Sequence, residues 1–213
     1  AAVARLPGEP EFHNNLGLVL AALDRHDEAI AAHRRALALR PEHAGAWTNL
    51  GLALTAANTL DEAIAAFDRA LELAPSLTEA RFNRALALLA AGRFAEGFRD
   101  YEARLAVPAF ADPAWSPTVP RWDGSAPHGR TILLVAEQGL GDAIQFVRLA
   151  TTLAARGARV IVQAPRALAA LLRTVAGVAG VVAPGEPLPP HDAWLPLLSL
   201  AGTLGIDAAY GAV

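Results

Sequence analysis

The sequence of 213 residues contains no cysteine, no lysine and no methionine, so all 18 of its basic residues are arginine. The absence of cysteine excludes disulfides, thiolate nucleophiles and cysteine-ligated metal sites. The absence of lysine excludes Schiff-base catalysis and the phosphate-binding lysine of a P-loop. No apolar run reaches the roughly 18 to 20 residues of a membrane-spanning helix, although 54% of the chain is hydrophobic. The composition therefore indicates a chain that buries a core rather than one that spans a bilayer.

An excess of positive charge is also missing. The chain has 18 basic and 21 acidic residues, for a formal net charge of −3. This balance argues against a nucleic-acid-binding surface. The N-terminus lacks the positive segment and apolar run of a signal peptide, so we expect a cytoplasmic protein. Because residue 1 is not methionine, we also expect either a processed N-terminus or a piece of a longer protein.

A repeat of 34 residues organises the first half of the chain. Residues 14–17 (NNLG) align with residues 48–51 (TNLG), and residues 27–30 align with residues 61–64, both of which read DEAI. A third, degenerate copy follows, and residues 1–7 are expected to be the tail of an earlier copy. A period of this length is typical of stacked helical repeats.

Each copy is predicted to form two helices. In the second copy, helical apolar spacing covers residues 44–57 and 61–73, and Pro75 stops the second helix because proline cannot continue the hydrogen-bond ladder. This copy resembles the tetratricopeptide repeat at the positions that define that family's pattern, namely Trp47, Leu50, Gly51, Ala63, Phe67, Ala70 and Pro75. The resemblance implies a helical array over residues 1–106 that binds a protein or peptide in its groove.

The first and third copies depart from that pattern. His13 and His33 replace the tryptophan and the phenylalanine, and we interpret them as tolerated substitutions rather than ligands. Arg81 and Arg84 occupy apolar positions of the third copy, which predicts a polar-faced terminal repeat. No pair of histidines has the spacing of a metal site, and we expect no metal.

Three asparagines recur at one position of the repeat: Asn15, Asn49 and Asn83. Asparagine is unfavourable inside a helix because its side chain competes for nearby backbone groups. Its amide supplies donors and an acceptor, which suits two-point pairing with the backbone of an extended peptide. The arrangement resembles the asparagine ladder of O-GlcNAc transferase repeats and implies peptide binding. The alternative is a polar contact between helices.

Residues 107–130 differ in composition from the repeats. Five prolines in this connector exclude a helix or a central strand. Trp115 and Trp122 lie among the prolines, and we expect them to pack on a neighbouring element. The connector is therefore predicted to be ordered.

Residues 131–213 alternate between short apolar runs and helical spacing. Strands and helices are predicted in the order βαβαβ, at residues 131–136, 142–156, 159–164, 165–176 and 178–183. This order indicates a parallel sheet with right-handed crossovers. The chain is thus predicted to be α + α/β, with helical repeats followed by a Rossmann-like parallel βαβ half domain.

The turn after the first strand is the predicted reaction site, because ligands of parallel sheets bind at the carboxyl ends of the strands. The candidate residues are Glu137, Gln138, Gly139 and Gly141, with Gln145 on the following helix. The glycines let the backbone approach a ligand. The third glycine of the dinucleotide fingerprint is missing, as is the acidic residue after the second strand, which disfavours NAD.

The sequence GLGD at residues 139–142, followed by AIQF, resembles the N-terminal half of family 9 glycosyltransferases, the heptosyltransferase-like enzymes of GT-B fold. The whole chain resembles bacterial proteins that join tetratricopeptide repeats to such a domain. The resemblance implies that Asp142 is the general base that deprotonates an acceptor hydroxyl; from the residues alone, a helix cap is the alternative.

The same resemblance implies a nucleotide-sugar donor for the full-length protein. A GT-B enzyme binds that donor in a second Rossmann-like half, and we expect the given chain to end before it, so the chain alone is not expected to transfer sugar. The competing hypothesis is a non-catalytic protein–protein interaction module. Self-association through an open sheet edge is a further alternative.

Overall fold

The computed structural model describes residues 8–107 and 119–206. These residues form two compact units, one up to Val107 and one ending at Ile206. The predicted tail of an earlier repeat, Trp115 of the connector and residues 207–213 lie outside the described residues. No helix in the described part of the chain is long and apolar enough to cross a bilayer.

The first unit consists of helical hairpins, as the 34-residue period predicts. Its α-helices are α1 (Pro10–Ala22), α2 (His26–Leu39), α3 (Ala44–Ala56), α4 (Leu60–Leu73), α5 (Thr78–Ala90) and α6 (Phe94–Tyr101), followed by a 3₁₀ helix, Glu102–Ala106. The first helix of each hairpin packs on the second, and α2 and α4 each also pack on the next hairpin. The two helices predicted for the second copy are confirmed to within one residue at either end.

The turn inside each hairpin contains one residue with left-handed backbone geometry. These residues are Asp24 (φ 56°), Asn58 (φ 59°) and Gly92 (φ 77°), which occupy equivalent positions of the repeat. Asparagine, aspartate and glycine are the residues that adopt this geometry most readily. The same turn chemistry therefore reverses the chain in all three hairpins.

Close contact between paired helices depends on a glycine in the first helix. A Cβ atom at Gly51 would lie 2.6 Å from the ring of Phe67, and one at Gly17 would lie 2.5 Å from the ring of His33. Both rings are fully buried. The glycine of the repeat pattern is thus required because a ring from the second helix occupies the space of a side chain.

The second unit is a parallel four-stranded sheet in the order β3-β2-β1-β4. Its elements are β1 (Thr131–Val135), α7 (Leu140–Phe146), α8 (Leu149–Ala155), β2 (Arg159–Gln163), α9 (Arg166–Leu172), β3 (Val178–Val182), β4 (Ala193–Pro196), the 3₁₀ helix Leu197–Ser199 and α10 (Leu200–Leu204). The predicted parallel α/β architecture is confirmed, and each predicted strand ends one residue early. Strand β4 was not predicted.

The single helix predicted over residues 142–156 is wrong. The chain forms α7 and α8, separated at Val147 and Arg148, where the Ala150 and Thr151 amides donate to the carbonyls three residues earlier. These shorter-range bonds end α7 at Phe146, so a single apolar stripe does not continue from α7 into α8. Ile144, which the apolar spacing places on the core face, is 43% exposed.

The described end of the connector is ordered along strand β4. The backbone N–H of Trp122 donates to the Trp194 carbonyl at 2.8 Å, and the Trp194 N–H donates to the Pro120 carbonyl at 3.2 Å. The Trp122 side chain is buried, and its Nε1 donates to the Ser125 carbonyl. The packing predicted for this tryptophan is confirmed, and it covers part of the outer edge of β4.

Candidate functional site

The three asparagines lie on the first helices of the hairpins. Asn15 is exposed on α1, whereas Asn49 on α3 and Asn83 on α5 are half-buried. Helix α3 contacts both α1 and α5, so the equivalent positions follow one another along a single row of helices. We call these residues the asparagine row.

The asparagine row contains one polar contact between helices. The Nδ2 of Asn49 donates to the Oδ1 of Asn14 at 3.0 Å, which is the alternative role considered from the sequence. The side chains of Asn15 and Asn83 make no hydrogen bond within the described residues. Their amides are therefore available to a ligand, as are the Oδ1 and the second side-chain N–H of Asn49.

His33 belongs to the same polar network, so this substitution for phenylalanine adds a hydrogen bond inside the hairpin. Its Nδ1 lies 3.1 Å from the Oδ1 of Asn14, and since a carbonyl oxygen only accepts, this nitrogen carries the proton. Burial lowers the pKa of His33 to about 4, so the ring is neutral at pH 7. The other nitrogen, Nε2, is buried without a hydrogen-bond partner in the described part of the chain.

The turn after β1 lies at the carboxyl end of the sheet, where Val135 is in register with Pro196 of β4. Gln138 has left-handed geometry with φ 63°, and this residue lifts the chain away from the strand. Gln138, Gly139, Gly141 and Gln145 are exposed. The structure thus brings four of the predicted loop residues to the surface at the expected end of the sheet.

Glu137 does not face solvent with the other loop residues. It is buried, and its Oε1 accepts a hydrogen bond from the backbone N–H of Leu198 at 3.3 Å. This bond ties the end of β1 to the 3₁₀ helix that follows β4. Glu137 therefore stabilises the turn from inside.

Asp142 caps helix α7. The N-cap residue is Gly139, not Asp142; Asp142 is the third residue of the helix, and its Oδ2 accepts from the Gly139 backbone N–H at 3.3 Å, so it caps the helix by bonding back to the N-cap residue. The side chain is half-buried, and a Cβ atom at the neighbouring Gly141 would have no neighbour within 4 Å. The surface beside Asp142 in the chain is therefore open at Gly141.

One family model matches part of the first unit. The family described as tetratricopeptide repeat matches residues 1–42 and 25–78. The first unit thus carries tetratricopeptide-like helical repeats, with its third hairpin beyond the matched residues, and we call it the tetratricopeptide unit. A comparison with curated proteins gave no match.

The solved structures that match this chain include three that each cover just under half of it. They include the first tetratricopeptide domain of Spaghetti (RPAP3) bound to the HSP90 peptide SRMEEVD, at 23% identity and TM-score 0.46, covering 47% of this chain and 80% of that one. MamA is 27% identical with TM-score 0.46 over 49% of this chain and 61% of that one. The complex of the yeast Sti1 TPR2B domain with pHsp70 is 23% identical with TM-score 0.45, over 48% and 85% respectively.

The tetratricopeptide unit also has a cavity of about 600 Å³ between α2, α3 and α4. Its floor is apolar and includes Trp47 and Leu50, and the Nε1 of Trp47 donates to the Pro41 carbonyl at 2.8 Å. Arg34 and Glu62 pair with each other at its rim, with an N···O distance of 2.5 Å. The cavity is a space between repeats that apolar side chains leave partly open.

In the third tetratricopeptide repeat, charged side chains occupy the equivalent space. Arg84, which replaces Leu50, donates to Asp68 on α4 and to Asp100 on α6, each at 2.6 Å. Arg81, which replaces Trp47, donates to a proline carbonyl at 2.8 Å as the tryptophan does. The arginines that predict a polar terminal repeat therefore join its helices to the preceding repeat.

Proposed function

We propose that the tetratricopeptide unit is a protein-binding scaffold that holds an extended peptide along Asn15, Asn49 and Asn83. The observation that carries this proposal is the repeat-equivalent placement of three amides on contacting helices, two of them without hydrogen bonds within residues 8–107 and 119–206. Each amide presents a donor and an acceptor, which match the alternating carbonyl and N–H groups of an unpaired peptide backbone.

Replacing Asn49 with alanine is expected to weaken peptide binding by about 10-fold or more, since two neutral hydrogen bonds contribute roughly 1 kcal/mol each. Fluorescence polarisation with labelled peptides measures this loss. The matched control is Asn58→Gly, which removes an exposed amide from a turn where glycine accepts the left-handed geometry. An Asn49→Ala variant that binds as tightly as the control would contradict the proposal, provided that both variants keep the parent's helicity.

For the second unit we propose the acceptor side of a glycosyltransferase. In this reaction Asp142 accepts the proton of an acceptor hydroxyl, the hydroxyl oxygen bonds to the anomeric carbon of a nucleotide-sugar, and the nucleotide leaves with the electron pair. The proposal is supported by the GLGD sequence at the carboxyl end of a parallel strand and by the open space at Gly141. The described residues of this unit form one α/β half, so transfer requires a second half to hold the donor.

The Asp142→Asn substitution separates catalysis from capping. The asparagine side-chain oxygen still accepts the Gly139 N–H, so helix α7 is expected to remain, whereas the group no longer takes up a proton. We expect kcat for sugar transfer by the natural gene product to fall roughly 10²- to 10⁴-fold, with little change in thermal stability. An unchanged kcat would show that Asp142 is not the general base and that its side chain only stabilises the start of helix α7.

A non-catalytic interaction module is the second candidate function. It is favoured by the cap itself, because the Asp142 carboxylate already has a structural partner. In that case Asn49→Ala weakens partner binding, Asp142→Asn has no effect on binding, and no nucleotide-sugar is consumed by the natural gene product. A donor-hydrolysis or transfer assay on that product decides between the two candidates.

A further inference from the structure

Three leucines are exposed at one position of the tetratricopeptide repeat. Leu18 on α1 is 45% exposed, Leu52 on α3 37% and Leu86 on α5 41%. Leucine is among the residues most often buried, and a single exposed one needs no explanation, but these recur with the 34-residue period. We call them the leucine row.

The leucine row runs beside the asparagine row. Each leucine follows an asparagine of that row by three residues, and residues three apart in a helix are neighbours on its surface. Every hairpin therefore presents one amide and one isobutyl group side by side. A ligand that pairs its backbone with the amides brings its side chains next to the leucines.

Charge on the helices that carry these rows is scarce and largely paired. Helix α3 has no charged side chain, and α1 has only Glu11, which pairs with Arg40 just after the end of α2. On α5, Arg81 and Arg84 donate to protein acceptors, a carbonyl and two aspartates. None of the three helices thus offers a guanidinium free of protein partners to an acidic ligand, and α5 adds the carboxylate of Glu79.

We infer that the ligand is an uncharged extended peptide whose apolar side chains pack on Leu18, Leu52 and Leu86. The inference rests on the proposed peptide-binding function and adds the chemical class of the ligand. Apolar side chains on the leucine row remove apolar surface from water on both partners. A carboxylate in the same place loses hydration without gaining a counter-ion, which is unfavourable.

Three pools of acetylated and amidated dodecapeptides test the inference on the intact chain: one uncharged and rich in leucine and valine, one acidic and one basic. We expect the uncharged pool to bind, and Leu52→Ser to weaken that binding by about 10-fold. The matched control is Leu39→Ser on α2, a leucine that is 44% exposed but outside the row. This control is expected to change binding by less than about twofold.

The inference and the proposed function fail in different ways. If the acidic or basic pool binds more tightly than the uncharged pool and Asn49→Ala weakens that binding, the groove binds peptides but the inferred ligand class is overturned. If no pool binds, both fail. Equal effects of Leu52→Ser and Leu39→Ser would remove the leucine row from the site. Self-association without peptide that Leu52→Ser abolishes would assign the row to a second copy of the chain and overturn the inference.

Discussion

Replacing Phe67 with alanine is expected to lower the free energy of unfolding of the tetratricopeptide unit by about 3–5 kcal/mol, the usual cost of removing a buried aromatic ring. Phe67 is fully buried and packs against Gly51 in the middle hairpin. In a linear array each repeat is stabilised by its neighbours, so a defect in the middle weakens both interfaces. Because domains are typically stable by only 5–15 kcal/mol, this loss is a large part of the total.

Hydrogen exchange measures this loss separately in each unit of the intact chain. Amides of α3 and α4 are expected to exchange faster in Phe67→Ala, while those of β1 and β2 remain protected. The control is Phe94→Ala at the start of α6, where the ring is half-buried and the expected cost is about 1 kcal/mol. Equal effects of the two substitutions would show that central packing is not what stabilises the array.

A double substitution tests the contact with Gly51 directly. Alone, Gly51→Ala places a methyl group 2.6–2.8 Å from the ring atoms of Phe67, which requires the helices to separate. In the Phe67→Ala background the ring is absent, so the added methyl group is expected to fill space and cost less. Additive effects of the two substitutions would contradict this coupling.

The helical hairpins were predictable because their signals are local and occur repeatedly. The period, the apolar spacing and the residues of the turns all lie within a few positions of the elements that they determine. Even the chemically different turn residues Asp24, Asn58 and Gly92 satisfy one backbone requirement. Repetition allows weak signals in one copy to be interpreted from stronger signals in another.

In the second unit the missed features depend on tertiary contacts. Strand β4 has only four residues and ends in a proline, so its pattern is too short to distinguish from a loop. Its pairing with β1 and with the connector determines its conformation. The inward orientation of Glu137 likewise depends on the Leu198 backbone N–H, 61 residues further along the chain.

The candidate groove was only partly predictable, because one of its residues has no counterpart in the repeat. Asn14 aligns with Thr48 and Phe82, so a search for recurring residues passes over it. The structure places its side-chain oxygen between Asn49 and His33. The signal for this network was therefore a pair of residues that depart from the repeat pattern. Asn14 departs from Thr48 and Phe82, and His33 departs from Phe67.

Protonation of His33 is expected to destabilise the tetratricopeptide unit in acid. Burial lowers its pKa to about 4, whereas an unfolded histidine titrates near pH 6.5, so the unfolded state binds the proton more tightly. The stability that depends on the neutral ring is complete above about pH 6.5 and is lost as the pH falls towards 4. A shift of this size corresponds to about 3 kcal/mol.

The variant His33→Phe isolates this contribution, because it places at position 33 the residue that the second repeat has at Phe67. We expect urea unfolding of this variant to lose about 3 kcal/mol less than the parent chain between pH 7 and pH 4. All other ionisable groups are common to both proteins, so their contributions cancel in the comparison. Asn14 keeps its hydrogen bond from Asn49, so its side-chain oxygen still has a donor. If the two proteins lose equal stability over this pH range, His33 is protonated in the folded state without cost, and the buried network does not depend on a neutral ring.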